Sequence, residues 1–233
     1  GGSKNAALPL MTAALLTEKP LRIANVPDLA DISTMLSLLE SHGVASEISK
    51  VKDLDSGGRK VVLSGENITN TIADYDLVRK MRASILALGG LISKHRKAVI
   101  SAPGGCAIGT RPINYHLNAL KKLGMKFKLK SGYIHATAKN GLKGNNTKIN
   151  LNLSVGASEN LIIASTLCKG TVTLHRCAIE PEVKDLVTFL TSAGANIKWI
   201  GKRTLRIIGV KKLNSTSYSV NGDRIELLCW IVL

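Results

Sequence analysis

Three segments of the chain repeat one pattern of hydrophobic and polar positions. They cover residues 35–48, 116–129 and 186–199. In each segment, leucine or valine stands four and seven positions before a glycine, which is the spacing of the buried side of a helix. The glycines, Gly43, Gly124 and Gly194, suit the left-handed position that ends a helix. The alternation that follows each glycine predicts a strand.

The spacing of these glycines indicates a long repeating unit of roughly 75 residues. A second helix is predicted before each of the three, at 6–16, 77–91 and 157–167, and a strand-like stretch follows at 21–23, 98–101 and 171–174. The pattern in each unit therefore predicts the element order βαβαββ, with the first strand of the first unit missing. We expect an α/β fold in which the three units pack together, helices inside and sheets outside. Turn sequences at 55–58 and at Asn140-Gly141 predict hairpins.

Charge and cysteine content narrow the classes of function. The formal net charge is +16, which attracts anions. A solvated basic surface and a site for small anions such as phosphates and carboxylates both fit this charge, with basic residues along the whole chain. No apolar run approaches the roughly 20 residues of a membrane span. The four cysteines have neither zinc-finger nor disulfide-framework spacing. We therefore expect a cytosolic protein with reduced thiols and no metal.

Two motifs place cations at predicted helix starts. Ser3 or Asn5 can cap the first helix, where Lys4 adds charge to an end that already favours anions. The stretch 75–84 puts Arg79 and Arg82 on one side of another helix start. Alone, each motif is more typical of an ordinary capped or surface helix than of a binding site.

The segment 101–113 is the most informative, because three glycines and two prolines surround Cys106. Such a loop positions a side chain while it remains able to move. At neutral pH a free thiol is mostly protonated and can act as an acid, whereas a nearby cation such as Arg111 favours the nucleophilic thiolate. The pattern does not decide between these roles. A fourth motif, Ser154 to Asn160, is a small polar turn that leads into a helix and can hold a diphosphate.

Together the motifs SKNAALP, YDLVRKMRASI, PGGCAIGTRP and SVGAS resemble the UDP-N-acetylglucosamine 1-carboxyvinyltransferase family. The resemblance runs from Gly2 to Glu226. It implies one domain of the enolpyruvyl transferase fold, an inside-out α/β barrel of three βαβαββ units. It also implies transfer of enolpyruvate from phosphoenolpyruvate to the 3′-hydroxyl of UDP-N-acetylglucosamine, with release of phosphate, as the first committed step of peptidoglycan synthesis.

The resemblance also implies residue roles and requires no cofactor. Cys106 is the general acid, forms a covalent adduct with phosphoenolpyruvate and is the residue alkylated by fosfomycin, with Lys4 and Arg111 also catalytic. The residues implied for phosphoenolpyruvate are Lys4, Asn5, Arg82 and Arg111. Those implied for UDP-N-acetylglucosamine are Asn5, Arg82, Arg111, Pro112, Ile113, Asn114, Tyr115, Ser154, Val155 and Gly156.

The chain departs from the family in length and at its end. Family members are roughly twice as long, and their second domain supplies the aspartate base. We therefore expect residues 1–223 to form the UDP-sugar-binding domain with the cysteine loop, and 224–233 to begin a return to an absent second domain. The partners expected are the two substrates and either the missing domain or another copy, without membrane or nucleic acid. Two alternatives stay open: a nucleotide-sugar-binding fragment without turnover, and, less favoured, a basic nucleic-acid-binding protein.

Overall fold

The computed structural model describes residues 1–50, 58–101 and 113–232, which form helices enclosed by three four-stranded sheets. The helices are α1 Lys4–Thr12, α2 Ala30–Ser41, α3 Tyr75–Val78, α4 Leu86–His95, α5 Asn114–Lys122, α6 Val155–Ser165, α7 Pro181–Ser192 and α8 Arg224–Val232, with 3-10 helices at Ala13–Leu16 and Arg82–Ile85. The strands are β1 Leu21–Val26, β2 Ala45–Lys50, β3 Arg59–Ser64, β4 Ile72–Ala73, β5 Lys97–Ser101, β6 Lys126–Lys130, β7 Tyr133–Thr137, β8 Thr147–Asn150, β9 Thr171–His175, β10 Asn196–Gly201, β11 Thr204–Ile208 and β12 Thr216–Ser219.

The three sheets share one topology, which confirms the predicted repeat. Their strand orders are β12-β1-β3-β2, β4-β5-β7-β6 and β8-β9-β11-β10. In each sheet the first pair is parallel and the two following pairs are antiparallel. The second and third units therefore read βαβαββ along the chain. In the first unit the opening strand is β12, which comes from the C-terminal part of the chain. It occupies the position of the first strand that the sequence pattern indicated as missing.

Side chains of α7 and β1 hold β12 in the first sheet. Tyr218 of β12 donates a hydrogen bond to Asp185 Oδ1 on α7 at 3.1 Å. Its ring meets Phe189 edge-on, with 5.9 Å between ring centroids. Next to β12, Asn25 donates from Nδ2 to the carbonyl of Val220 at 2.8 Å. Because Phe189 is fully buried, β12 is joined to the core as well as to the sheet edge.

The helices divide into a central and an outer set. The central set is buried almost all round, at Ala6 to Thr12 of α1, Leu86 to Ser93 of α4 and Ala157 to Ser165 of α6. The outer helices α2, α5 and α7 bury one side, through the repeated positions that the hydrophobic pattern singled out: Leu36, Leu39, Leu117, Leu120, Val187 and Leu190. Gly43, Gly124 and Gly194 follow with φ of 100°, 95° and 97° and end these helices as predicted.

The second unit contains two corrections to the sequence reading. The helix predicted over 77–91 is broken, because Met81 is extended with φ −146° and ψ 123°. The side chain of Met81 is buried, so tertiary packing overrides the local helical pattern. Asn140-Gly141 does form a turn, but it connects β7 to β8, which lie in different sheets, and is not a hairpin. A hairpin is also predicted at 55–58; β2 and β3, on either side of it, pair antiparallel, and residues 51–57 lie outside the described part.

The final helix differs from the others because none of its residues is buried. It exposes Ile225, Leu227, Leu228, Trp230 and Ile231. The interpretation of 224–233 as the start of a return to a second domain stays a prediction. Across the described residues, no helix combines the length and apolar character that crossing a membrane requires.

Gly89 allows α4 and α6 to approach closely, and this contact is testable. A Cβ at Gly89 would stand 2.0 Å from Asn160 Oδ1 and 2.8 Å from the Asn160 carbonyl oxygen. Gly89→Ala raises helix propensity by about 1 kcal/mol, yet we expect a net loss of about 1–3 kcal/mol of unfolding free energy from overpacking. Urea denaturation measures it.

Gly222→Ala is the control for this prediction, because nothing lies within 4 Å of a Cβ at that position. Equal stability of the wild type and the Gly89→Ala variant would contradict the assignment of close helix contact at Gly89.

Candidate active site

The first turns of six helical segments meet at one cavity of about 600 Å³. The first turn of α1 supplies Lys4 and Asn5, and that of α2 supplies Asp31. The 3-10 helix before α4 contributes Arg82. The remaining contributions are His116 of α5, Val155 and Gly156 of α6, and Glu182 of α7. Since each helix start presents backbone N–H groups and a partial positive charge, the cavity has the polarity of an anion site.

The start of α1 carries a fixed cation. Ser3 caps the helix, with its Oγ accepting from the N–H of Ala6 at 3.4 Å. Lys4 Nζ lies 2.8 Å from Asp31 Oδ2 on α2, and both side chains are about one-third exposed. The ion pair orients the lysine at the cavity wall while leaving part of the ammonium accessible. The predicted capping role therefore falls to Ser3 rather than to Asn5, which itself lines the cavity.

The start of α6 offers the clearest backbone site. Ser154 caps it by accepting from the N–H of Ala157 at 3.3 Å. Val155 and Gly156 occupy the first helical positions, where N–H groups have no acceptor within the helix. Three consecutive residues that the sequence proposed for a diphosphate, Ser154, Val155 and Gly156, thus all line the cavity.

His116 also lines the cavity, and the sequence reading missed it. Its side chain is buried, and burial, with a smaller effect of the Arg82 charge, lowers its pKa to about 4. Asn160 Nδ2, which also reaches the carbonyl of Ile85, lies 2.9 Å from His116 Nδ1. An amide N–H at that distance makes Nδ1 the acceptor, so the single ring proton of the neutral imidazole resides on Nε2.

The ring edge of His116 that carries Nε2 lies close to the start of α6. A Cβ at Gly156 would lie 3.5 Å from His116 Cε1 and 3.7 Å from Nε2. The imidazole edge therefore borders the same backbone groups that would hold an anion. No feature of the sequence signals this role, because the tautomer depends on Asn160, 44 residues away.

Acidic side chains form another wall that the sequence did not predict. Glu159 and Glu182 both line the cavity. Burial raises the pKa of Glu159 well above its usual value, and the neighbouring Glu182 and Glu180 charges raise it further. Glu182 Oε1 forms an ion pair with Arg224 Nη2 at a distance of 3.2 Å. Burial thus favours the neutral carboxyl form of Glu159, which lines the same cavity as the cations Lys4 and Arg82.

The structure brings together six of the residues predicted for the site, namely Lys4, Asn5, Arg82, Ser154, Val155 and Gly156. Cys106, Arg111 and Pro112 lie outside the described residues. Ile113, Asn114 and Tyr115 directly precede His116 but are not among the described residues that line the cavity. Arg79 is paired with Asp76 at 3.0 Å and stacks on Tyr75, which is the ordinary surface role that its motif allowed.

The buried thiols are poor nucleophiles. Burial raises the pKa of Cys168 to about 11 and that of Cys177 to about 12. Both stay protonated at neutral pH, so they lack the thiolate that nucleophilic chemistry needs.

Three repeated βαβαββ units around a cavity lined by helix starts define an enolpyruvyl transferase type of domain, and comparison with known proteins agrees. Residues 1–233 match the family described as EPSP synthase (3-phosphoshikimate 1-carboxyvinyltransferase). The chain belongs to this family. Its fold resembles that of the enolpyruvyl transferase NikO from Streptomyces tendae, with a TM-score of 0.85 at 22% identity over 99% of this chain and 53% of the other. EPSP synthase from Acinetobacter baumannii gives a TM-score of 0.71 at 17% identity over 95% of this chain and 48% of the other.

More similar relatives carry one common name. A UDP-N-acetylglucosamine 1-carboxyvinyltransferase of Pelagibacter ubique is 51% identical over 99% of this chain and 53% of its own length. Enzymes with the same name from Granulibacter bethesdensis and Paramagnetospirillum magneticum are 50% and 48% identical over 97% of this chain and 52% of their own length. The chain thus spans about half the length of these relatives.

The neutral His116 predicts a dependence of stability on pH. Because its folded pKa is about 4, the unfolded state binds the extra proton between about pH 6.5 and pH 4, so stability falls as pH falls through this window. From pH 7 to pH 5 we expect His116 to cost the wild type about 2 kcal/mol of unfolding free energy. Urea denaturation of the wild type and His116→Gln at both pH values measures it.

Between pH 7 and pH 5, the His116→Gln variant should lose about 2 kcal/mol less unfolding free energy than the wild type. An identical loss in both proteins would show that His116 is not held neutral in the native state.

Proposed function

We propose that this chain forms the nucleotide-sugar-binding half of a UDP-N-acetylglucosamine 1-carboxyvinyltransferase. The observation that carries the proposal is the convergence of Lys4, Arg82 and the start of α6 on one cavity. Phosphoenolpyruvate and the nucleotide sugar are both anions, and helix starts with adjacent cations favour anions. The names of relatives that are 46–51% identical to this chain support the choice of substrates.

The start of α6 holds the diphosphate of UDP-N-acetylglucosamine in this proposal. The backbone N–H groups of Val155 and Gly156 donate to phosphate oxygens, and His116 donates from Nε2 beside them. A neutral imidazole suits this place because it supplies a directed hydrogen bond without a further buried charge. Asn5 contacts the sugar, while Pro112, Ile113, Asn114 and Tyr115 lie beside the uracil.

Lys4, Arg82 and Arg111 hold the phosphate and carboxylate of phosphoenolpyruvate. Two anionic substrates repel each other, so cations between them bring the sugar hydroxyl and the enol carbon into contact. Charge-assisted hydrogen bonds contribute about 1.5–3 kcal/mol each to this orientation. The raised pKa of Glu159 favours its neutral form, which limits the negative charge in the same cavity.

The reaction is an addition followed by an elimination. The sugar 3′-oxygen attacks C2 of phosphoenolpyruvate, and Cys106 as general acid delivers a proton to C3. The resulting tetrahedral carbon carries both the sugar ether and the phosphate. C3 then loses a proton, the C2–C3 double bond returns, and phosphate leaves. The base that takes the proton of the 3′-hydroxyl is not assigned to any residue of this chain.

The further expectations stand on the same proposal. The reaction would serve peptidoglycan synthesis, and therefore cell shape and division, in the cytoplasm, and Cys106 would be the target of fosfomycin. A second domain or another copy of the chain would complete the cleft.

Binding without turnover is the second candidate function, because the chain spans about half the length of its relatives. Phosphate release from phosphoenolpyruvate, measured with and without UDP-N-acetylglucosamine, separates the two candidates. Release that requires the nucleotide sugar would identify a self-sufficient enzyme. No release, together with calorimetric binding of the nucleotide sugar, would identify a binding half.

Arg82 provides a quantitative test of the anion site. Loss of one charge-assisted hydrogen bond weakens binding by about 1.5–3 kcal/mol, so we expect Arg82→Gln to raise the Kd of the substrate complex about 10- to 100-fold by calorimetry. The matched control is Lys184→Gln, which removes an exposed cation of α7 away from the cavity. Equal affinities of the two variants would refute the role of Arg82.

Cys106 is tested by intact-protein mass spectrometry after incubation with fosfomycin or with phosphoenolpyruvate plus the nucleotide sugar. The wild type should gain one adduct and Cys106→Ala none. Cys229→Ala is the control, because Cys229 is an exposed free thiol. An adduct that persists in Cys106→Ala would show that another group reacts.

A further inference from the structure

The net positive charge is concentrated in one part of the chain, although basic residues occur along all of it. Residues 77–158 contain fifteen Lys and Arg and no Asp or Glu. Outside this stretch the acidic and basic residues nearly balance. The net charge of +16 therefore belongs almost entirely to the second unit and the segment that leads into the third.

The fold places many of these lysines on the outer face of one sheet. Lys126, Lys128 and Lys130 alternate along the edge strand β6 and are all exposed. Their partners in register on β7 are Thr137, His135 and Tyr133. On the other side of β7, Lys97 of β5 pairs with Thr137 and is also exposed. Side chains two residues apart on a strand are about 7 Å apart, so β6 presents a regular row of cations.

A groove of about 820 Å³ runs along this row. Residues 139–143, which connect β7 to β8, form its second side and add Lys139 and Lys143. Exposed His135, the partner of Lys128 in register, also lines the groove, whereas Phe127 alternates to the opposite face of β6 and packs against the core. The groove therefore combines several ammonium groups with one imidazole ring, and we name it the lysine groove after Lys126, Lys128, Lys139 and Lys143.

The cations of the lysine groove belong to a stretch of sequence, residues 77–158, that contains no Asp or Glu. Within the described residues, none of its four lysines pairs with a carboxylate within 4.0 Å, whereas Lys4, Arg59, Arg79, Lys94 and Arg224 all do. Lysines on an edge strand also discourage pairing with other chains. That role accounts for the lysines of β6 but not for Lys139 and Lys143, which belong to no strand and face the same groove.

We propose that the lysine groove binds the phosphate backbone of single-stranded nucleic acid. Proteins that hold single strands without sequence preference use a basic groove that tracks the backbone, together with rings on which bases stack. Here the lysines supply the basic groove, and the exposed His135 supplies a ring beside them. A membrane surface fits less well, because insertion needs exposed apolar side chains and Leu129, the exposed apolar residue of β6, alternates to the opposite face from the lysines. In this proposal, nucleic-acid binding is not an alternative to the transferase function but an additional activity of a second surface on the same domain.

The lysine groove is separate from the candidate active site. The two share none of their described lining residues. Helix α5 begins beside His116 at the active site and ends next to Gly124 in the groove, and its nine residues span about 13 Å. Binding at the groove therefore does not require the proposed transferase function, and each can fail alone.

The test measures binding of a fluorescein-labelled 12-nucleotide single-stranded RNA by anisotropy across a series of salt concentrations. The groove variant is Lys126→Gln/Lys128→Gln/Lys143→Gln. With three phosphate contacts removed, we expect the slope of log K against log salt to become shallower by about 2, and affinity to fall at least about tenfold. The matched control, Lys60→Gln/Lys184→Gln/Lys198→Gln, removes the same charge from exposed positions in the other two units. It should retain the wild-type slope.

Three outcomes would overturn the proposal: no RNA binding by the wild type, an equal loss in the groove and control variants, or tighter binding of anionic phospholipid vesicles or a poly-glutamate peptide than of RNA. Calorimetry with UDP-N-acetylglucosamine accompanies each variant. Unchanged nucleotide-sugar binding in the groove variant shows that the domain is folded and that the two sites are independent.

Discussion

The alignment of helix starts at one end of the domain is the constraint on which the site depends. Six helical segments deliver their first turns to a single cavity, and like partial charges gathered in this way repel one another. The arrangement persists because the apolar sides of the same helices pack in one continuous core. The core thus supplies the stability, and in the proposed function an anion bound in the cavity offsets the electrostatic cost.

The acidic and neutral side chains that line the cavity modify its positive electrostatic potential. Asp31 fixes Lys4 rather than neutralising the whole site. Burial lowers the pKa of His116 to about 4, which keeps it uncharged at neutral pH, and burial raises the pKa of Glu159, which favours its neutral form. The full positive charges that line the cavity belong to Lys4, Lys80 and Arg82, while backbone dipoles add partial positive charge at the helix starts. Such a division suits two different anions held side by side.

Much of the fold follows from local patterns in the sequence. The helix-Gly-strand repeat fixes the outer helices, because its apolar spacing and its left-handed glycines act within a few residues. The place of β12 could not be predicted in this way, since its contacts with Asp185 and Asn25 join distant parts of the chain. The break at Met81 has a similar origin in tertiary packing. In the site, Lys4, Arg82 and Ser154 are recognisable by motif, whereas the role of His116 depends on Asn160 and on burial.

The central claim is that helix starts make this cavity a diphosphate site. The most direct measurement is calorimetric affinity of the chain for UDP and for uridine, which differ only in the diphosphate. The account predicts that UDP binds at least about 100-fold more tightly, because two or more charge-assisted hydrogen bonds are added at the start of α6. Equal affinities for UDP and uridine would contradict it.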